Sequence, residues 1–544
     1  MKLIAKETEL DAVEIKGLIE VPPRLDMGDF AFPCFSLAKK EKKSPVEIAE
    51  ELVLKFSKKL PKEIGEVRVQ GAYVNFFVDR VEFVRKVLKS DFREVEKNGK
   101  KVVIDMSSPN IAKPFGIGHL RSTIIGNSLA RICEANGFEA VKINYLGDWG
   151  TQFGKIILAW KRWGSEEELE RDAVGHLYGL YVRGNAKEFE EEARAEFKKL
   201  EEGDEENLRL WKKFRELSLR DFDKIYDLLG VEFDEVSGES LYNDKMDGVV
   251  GELEDKGLLK VDDGAKVVDL SDEGLGVVLI QKSDGTSLYA TRDIAMAIDR
   301  KKVYDFDKGI YEVGAEQKLH FRQVFGVLRK MGYSWSKNLV HVAHGLYLDK
   351  DGKKFSTRRG KSVFMKDVLD EVVLKARENL KARGVGDEDL DERARKIAIA
   401  AIFYGDLKNN REHNMVFDID RFLEFEGDSG PYLLYSYARA SSLLRKVSRK
   451  NDGFDVGEVE DVEYLLIRKV FEFEEVVRRA YEGLAPNLVA KYCFELASLF
   501  NEFYHACPVL GGKSEGVRLK IVEVFRDRMG KGLELLGIEK LEEM

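Results

Sequence analysis

Apolar residues at Ile117, Leu120, Ile124, Ile125, Leu129 and Ile132 recur in steps of three and four, which predicts one helix through this stretch, stopped by Asn136–Gly137. Just before it, VVIDM (102–106) is an almost unbroken apolar run, the mark of a strand buried on both faces. The alternation repeats in EAVKINYLG (139–147), LGVVLIQ (275–281), a helix near 291, KGIYEVG (308–314), a helix near 319 and LVHVAHGLYL (339–348). Strand and helix in turn predict a Rossmann-like parallel sheet covered by helices. Between about 160 and 275 the rhythm gives way to long charged helical patterns, so an insertion is expected there. Residues 1–95 read as a small α/β domain. In SPVEIAEELVLKF (44–56), Ser44 can cap, Pro45 suits the first helical position, and Ile48, Leu52 and Phe56 share a face. The sheet domain is expected over 96–385, and an all-α domain over 386–544.

The chain has 544 residues, ample for several cores. Its four cysteines are scattered without a CxxC pair, so neither a zinc site nor a disulfide framework is signalled. MKLIAKETEL (1–10) lacks the apolar centre of a leader, and IAIAAIFY (397–404) is far shorter than a membrane span. A cytoplasmic protein with no membrane partner is expected. Charged residues make up 35% of the chain and glutamine occurs only five times, a balance that suggests a hot environment. The net charge of −10 argues against nucleic-acid binding by the whole surface but leaves room for a local basic patch.

The chemistry concentrates in SSPNIAKPFGIGHLRST (107–123). A helix that starts after a parallel strand presents free N–H groups and a positive dipole end. Gly116 and Gly118 leave its backbone bare, and Lys113 and His119 add donors, so an anion site is predicted. Two familiar phosphate fingerprints do not fit. Arg121 stands where GxGxxG needs its third glycine, and GKS (360–362) follows Gly352 by seven residues where a P-loop needs four. A second basic stretch, DGKKFSTRRGKS (351–362), lies after the last predicted sheet strand.

Together these stretches resemble the HIGH and KMSKS signatures of class I aminoacyl-tRNA synthetases, here GIGH (116–119) and KFSTR (354–358). With YLGDWGTQFG, DGTSLYATRD, DSGPYLLYSYARASSLLRK and, near the N-terminus, RLDMGDFAFPCFSLAK and GAYVNFFV, almost the whole chain resembles the arginyl-tRNA synthetase family. Two departures stand out. Gly116 replaces the first histidine of HIGH, and Thr357 replaces the second lysine of KMSKS, for which this family's usual substitute is the lysine upstream of HIGH, here Lys113.

The resemblance implies ATP, arriving with Mg²⁺ as co-substrate, L-arginine and tRNA(Arg) as partners, and no structural metal. His119, Lys113 and Lys354 are the implied catalytic residues, joined by Gly116, Gly118 and Ser356 in ATP binding. A planar guanidinium calls for carboxylates that accept paired hydrogen bonds. Asp105 and Asp293 are implied to face it, with Tyr289 lining the pocket and Asn110 and Gln317 holding the amino-acid end. Most of the family carries glutamate where Asp105 stands. For tRNA, the basic residues Arg439, Arg445, Lys446, Arg449 and Lys450 follow Tyr432, Tyr435 and Tyr437, and Asn75 and Phe77 are further implied contacts. A monomer is expected. The alternatives are another class I synthetase of cysteinyl type, a small-molecule nucleotidyltransferase, which would not need the long helical C-terminal region, and a catalytically weak tRNA-binding relative.

Overall fold

The computed structural model describes residues 1–91, 95–285, 288–353, 357–358, 361–362, 364–447 and 454–544. Contacts divide the chain into two units: residues 1–93, 443–472 and 498–526 form one, and residues 94–442, 473–497 and 527–544 form the other. The helical C-terminal region is thus shared between the units.

In the first unit, the strands Phe30–Pro33, Tyr73–Val78 and Ile64–Gln70 make an antiparallel sheet with Tyr73–Val78 in the middle. The helix Pro45–Phe56 lies over it, burying Ile48, Leu52 and Phe56 beside Phe32, Val67, Val74 and Phe76. Its start is the reciprocal cap expected from the sequence, with Ser44 Oγ accepting from Glu47 N–H and Glu47 accepting from Ser44 N–H. Asp29 ties the later segment to this sheet. Its carboxylate accepts from Val78 N–H at 2.8 Å and from the Tyr464 hydroxyl at 2.6 Å.

The second unit carries a five-stranded sheet in the order Leu339–His344, Lys308–Gly314, Lys101–Met106, Glu139–Leu146, Glu235–Gly238, with every pairing parallel. Alternation along the strands sends side chains to two covered faces. On one face Val103, Ile143 and Tyr311 pack under the helices Tyr289–Tyr304 and Lys318–Lys330. On the other, Met106 meets the helix Ile117–Ala135, so closely that a side chain at Gly126 would fall 2.4 Å from the Met106 Cβ.

Two strands differ from the pattern expected above. LGVVLIQ belongs to a separate antiparallel sheet formed by Leu259–Asp262, Ala265–Asp269 and Val277–Gln281. Within that strand, buried Val278 and Ile280 alternate with exposed Val277 and Leu279, the period of a half-buried strand. The fifth parallel strand is instead Glu235–Gly238, four residues long and too short to register as an apolar run. The interposed helices, including Thr151–Trp163, Glu190–Glu201 and Glu205–Leu229, pack through Trp149, Trp160, Phe197 and Phe214. The implied Lys354 and Ser356 lie outside the described residues, as do Arg449 and Lys450.

Candidate active site

The strand order places the first strand of the sheet, Lys101–Met106, between strands reached by connections running in opposite directions. Such a reversal opens a crevice beyond the carboxyl ends of the strands, where open parallel sheets bind ligands. Two groups of residues meet this edge, one from each face.

The first is the loop from Ser107 to Gly116. Ser107, Ser108 and Ala112 all have left-handed backbones, with φ of 72°, 51° and 56°. A conformation this costly persists only where its surroundings impose it. Here Ser107 N–H donates to Ser122 Oγ at 2.9 Å, Ala112 N–H donates to Ser218 Oγ at 2.8 Å, and Ile111 N–H donates to the Gly147 carbonyl at 3.3 Å. The loop delivers Gly116 to the start of the helix Ile117–Ala135, where Gly116 N–H donates to His119 Nδ1 at 3.1 Å. That bond leaves Nε2 of the neutral ring as the protonated nitrogen. Burial, with the nearby charges of His344 and Lys113, pushes His119 down to about 4, so at neutral pH it is an uncharged donor. Neither glycine is required by its backbone angles, but a Cβ at Gly118 would meet nothing within 4 Å. Open space therefore faces the helix start. Half-buried Lys113 donates to Gln152 Oε1 at 3.1 Å and lies 4.6 Å from the Tyr181 ring centre, its pKa lowered by burial and by Lys155.

The second group lies on the opposite face. Asp105 shares its face with Val103, so it points toward the helix Tyr289–Tyr304 and there meets Arg300 at 2.7 Å, both side chains buried. Ser108 Oγ donates to its other oxygen at 3.0 Å. The carboxylate that the resemblance assigns to a substrate guanidinium thus already holds a guanidinium of the protein. Arg300 has Nε and Nη2 unpartnered and its guanidinium carbon lies 5.2 Å from the Tyr145 ring centre. Asp293 sits one turn into the same helix, not at its start, with Oδ2 2.6 Å from His320 Nε2. Its charge is felt by Asp105, Tyr145, Glu239, Tyr289 and Tyr311, which places these groups around it.

Two of these residues had escaped the sequence reading. Glu239 follows the short edge strand and is largely buried, with Arg292 no nearer than 3.9 Å. Burial, reinforced by Asp293 and Asp148, pushes it up to about 7. The Tyr145 hydroxyl is buried without a hydrogen-bond partner. No periodicity or motif marks either position. Only the edge strand, which brings Ser237 level with Tyr145, reveals them as neighbours. Two acids and an unsatisfied hydroxyl make a group suited to a cation with several N–H donors.

Tyr289 stands at 61% exposure, its hydroxyl approaching Gly150, so it belongs to the rim. Asn110 bridges to Gly147, and exposed Gln317 precedes the helix Lys318–Lys330. Of the residues singled out for nucleic acid, Asn75 is buried and donates to Gln70 at 2.8 Å, while Phe77 carries the Arg68 guanidinium 4.4 Å from its ring centre. Arg439 stacks on Tyr435 and donates to its hydroxyl at 2.6 Å, and Arg445 and Lys446 are exposed. Tyr437, in contrast, is buried and donates to Glu542 at 3.0 Å.

Comparison with known proteins bears on all three regions. The family model for the class I (R) tRNA synthetase catalytic domain matches residues 83–419, the DALR anticodon binding domain matches 433–544, and the arginyl tRNA synthetase N terminal domain matches 2–78. An arginine–tRNA ligase of Clostridium botulinum is 45% identical over 99% of this chain and 98% of its own length. One from Bacillus cereus is 44% identical over 98% of this chain and 97% of its own. Among solved structures, Thermus thermophilus arginyl-tRNA synthetase superposes with a TM-score of 0.84 at 25% identity, covering 100% of this chain and 99% of that one. With a catalytic-domain match across the whole crevice and full-length similarity to such ligases, the chain belongs to the arginyl-tRNA synthetase family of class I aminoacyl-tRNA synthetases.

Proposed function

We propose that this protein activates L-arginine with ATP and passes it to tRNA(Arg). An oxygen of the arginine carboxylate attacks the α-phosphorus, the bond to the bridging oxygen breaks, and pyrophosphate leaves. A ribose hydroxyl at the tRNA end then attacks the carbonyl carbon and gives up its proton as AMP departs. Both substrates bring their own nucleophiles, so the protein's work is alignment and the stabilisation of charge growing on phosphoryl oxygens. The neutral donor His119, the N–H of Gly118 at the helix start, Lys113, Lys354 and Ser356 serve that purpose. Mg²⁺ enters bound to ATP, as part of the substrate.

The observation that carries the choice of amino acid is the pair of acids, Asp293 and Glu239, beside the unsatisfied Tyr145 hydroxyl. We assign the guanidinium to these three, with Tyr289 closing the rim and Asn110 and Gln317 toward the amino-acid end. Asp105, already paired, supports the pocket through Arg300. For the tRNA, Asn75 and Phe77 in one unit and Tyr435, Arg439, Arg445 and Lys446 on the helix Gly430–Arg445 and just beyond it are the assigned contacts. We assign the reaction to a cytoplasmic monomer; separately, no helix among the described residues is long and apolar enough to cross a membrane.

ATP–pyrophosphate exchange, run with each amino acid and with and without tRNA(Arg), tests the assignment. Arginine alone is expected to support exchange, and only with tRNA present. Robust exchange with cysteine would refute it.

A further inference from the structure

The sheet face that bears the helix Ile117–Ala135 holds a second imidazole at the crevice. His344 ends the strand Leu339–His344, level with Gly314 on the neighbouring strand. Glu312, two residues before Gly314, shares that face, and its Oε1 lies 2.8 Å from His344 Nδ1. Both side chains are buried, and the other oxygen, Glu312 Oε2, has no partner. A carboxylate so enclosed needs a cation, and the imidazole touching it is placed to be one.

The remaining ring nitrogen, His344 Nε2, has no partner among the described residues. The side chain as a whole is buried, at 9% exposure. The other charges around His344 largely balance. Arg121, on the helix Ile117–Ala135, pairs with Asp406 at 3.3 Å, and Tyr347 donates to the same Asp406. His341, on the same strand, turns to the opposite face and stacks on Phe321. With Glu312 outweighing burial, His344 is raised above the ordinary histidine range, and its charge in turn acts on His119.

We propose that His344, paired with Glu312, donates from Nε2 to the triphosphate of ATP as a second imidazole donor beside His119. Gly116 contributes no side chain, and His344 stands at the carboxyl end of a strand two places from Lys101–Met106 in the same sheet. Because the donor acts on ATP, this inference rests on the synthetase reading.

The test compares His344→Gln, which keeps a donor but no charge, and Glu312→Gln, which keeps the shape of the partner, in tRNA-dependent exchange with arginine. KM for ATP is expected to rise about 10- to 100-fold in His344→Gln, the scale of one charge-assisted hydrogen bond, with KM for arginine unchanged. In the wild type, kcat/KM for ATP is expected to fall as pH rises through the raised histidine pKa. In Glu312→Gln that limb is expected to move to lower pH, because the stabilising carboxylate is gone. A thermal melt identifies a variant that fails to fold, in which case the other decides. An unchanged ATP KM and an unmoved alkaline limb in the folded variants, with arginine exchange intact, would overturn the proposal. Absence of arginine exchange in the wild type would instead refute the synthetase reading.

Discussion

The two faces of one sheet meet the same crevice with opposite chemistry. On the side of the helix Ile117–Ala135, the donors are bare backbone and a histidine held neutral, with Lys113 half-buried behind them. On the side of the helix Tyr289–Tyr304, the groups are acids, with Glu239 pushed up to about 7 and Asp293 beside it. Burial works on both, but the outcomes differ with the sign of the group. It discharges the histidine so that it donates without needing a counter-ion, and it raises Glu239 so that a nearby cation would favour its ionised form. One face is suited to an anion and the other to a cation. A zwitterionic substrate with a cationic tail can span them, its carboxylate over the phosphate loop and its tail among the acids.

The sharpest way to break this comparison is Asp293→Asn, which should damage only the acidic face. Losing one partner of a buried charge pair costs about 2–5 kcal/mol, so kcat/KM for arginine is expected to fall roughly 30- to several-thousand-fold while ATP binding holds. Steady-state kinetics for both substrates, beside a melt, checks it. An unchanged arginine kcat/KM would remove Asp293 from the pocket.

Damage confined to the other face should come from His119→Ala. Adenylate formation is expected to slow by about 10²–10³, the usual cost of one charge-stabilising donor, while arginine affinity stays near normal. The helix also loses its cap at Gly116, so stability is expected to drop by about 1 kcal/mol. Single-turnover adenylate formation, read against arginine binding, separates the two losses.

A smaller effect sharpens the contrast through pH. Glu239 has its folded pKa raised, so its stabilising contribution is complete below the ordinary glutamate range and is lost as pH rises through about 7. Arginine binding should run the other way, since the guanidinium is best held by the ionised form. Between pH 6 and 8 the KM for arginine is expected to fall about three- to ten-fold, and Glu239→Gln should abolish that slope. Titration of arginine binding across this range, with thermal melts at each pH, tests both trends. A slope that survives in Glu239→Gln would assign it to another group.

The loop between the strand Lys101–Met106 and the helix Ile117–Ala135 was legible because its pattern is contiguous. The buried strand, the two glycines, His119 and the helical period fall within residues 102–132, and local spacing alone predicts a helix start beside open backbone. Family resemblance added Asp293 and Tyr289 and carried Asp105 along with them. What it could not show is that Asp105 is already engaged by Arg300, 195 residues further on, because strand alternation turns that carboxylate to the face of the helix Tyr289–Tyr304. Glu239 and Tyr145 were invisible for the same reason. A single acid after a four-residue strand and one tyrosine in a strand carry no period, and their environment exists only once the edge strand pairs.

The parallel α/β class, the helical character of the C-terminal region and the position of the helix start after the strand Lys101–Met106 were readable from the chain alone, because these depend on neighbours within a few residues. Tertiary structure alone decided that Asp105 meets Arg300, that Asp293 meets His320 while Glu239 has Arg292 no nearer than 3.9 Å, and that His344 and Glu312 form a pair on the face bearing the helix Ile117–Ala135. Charge and burial are properties of a neighbourhood, and in a doubly covered sheet that neighbourhood is assembled from strands and helices far apart along the chain.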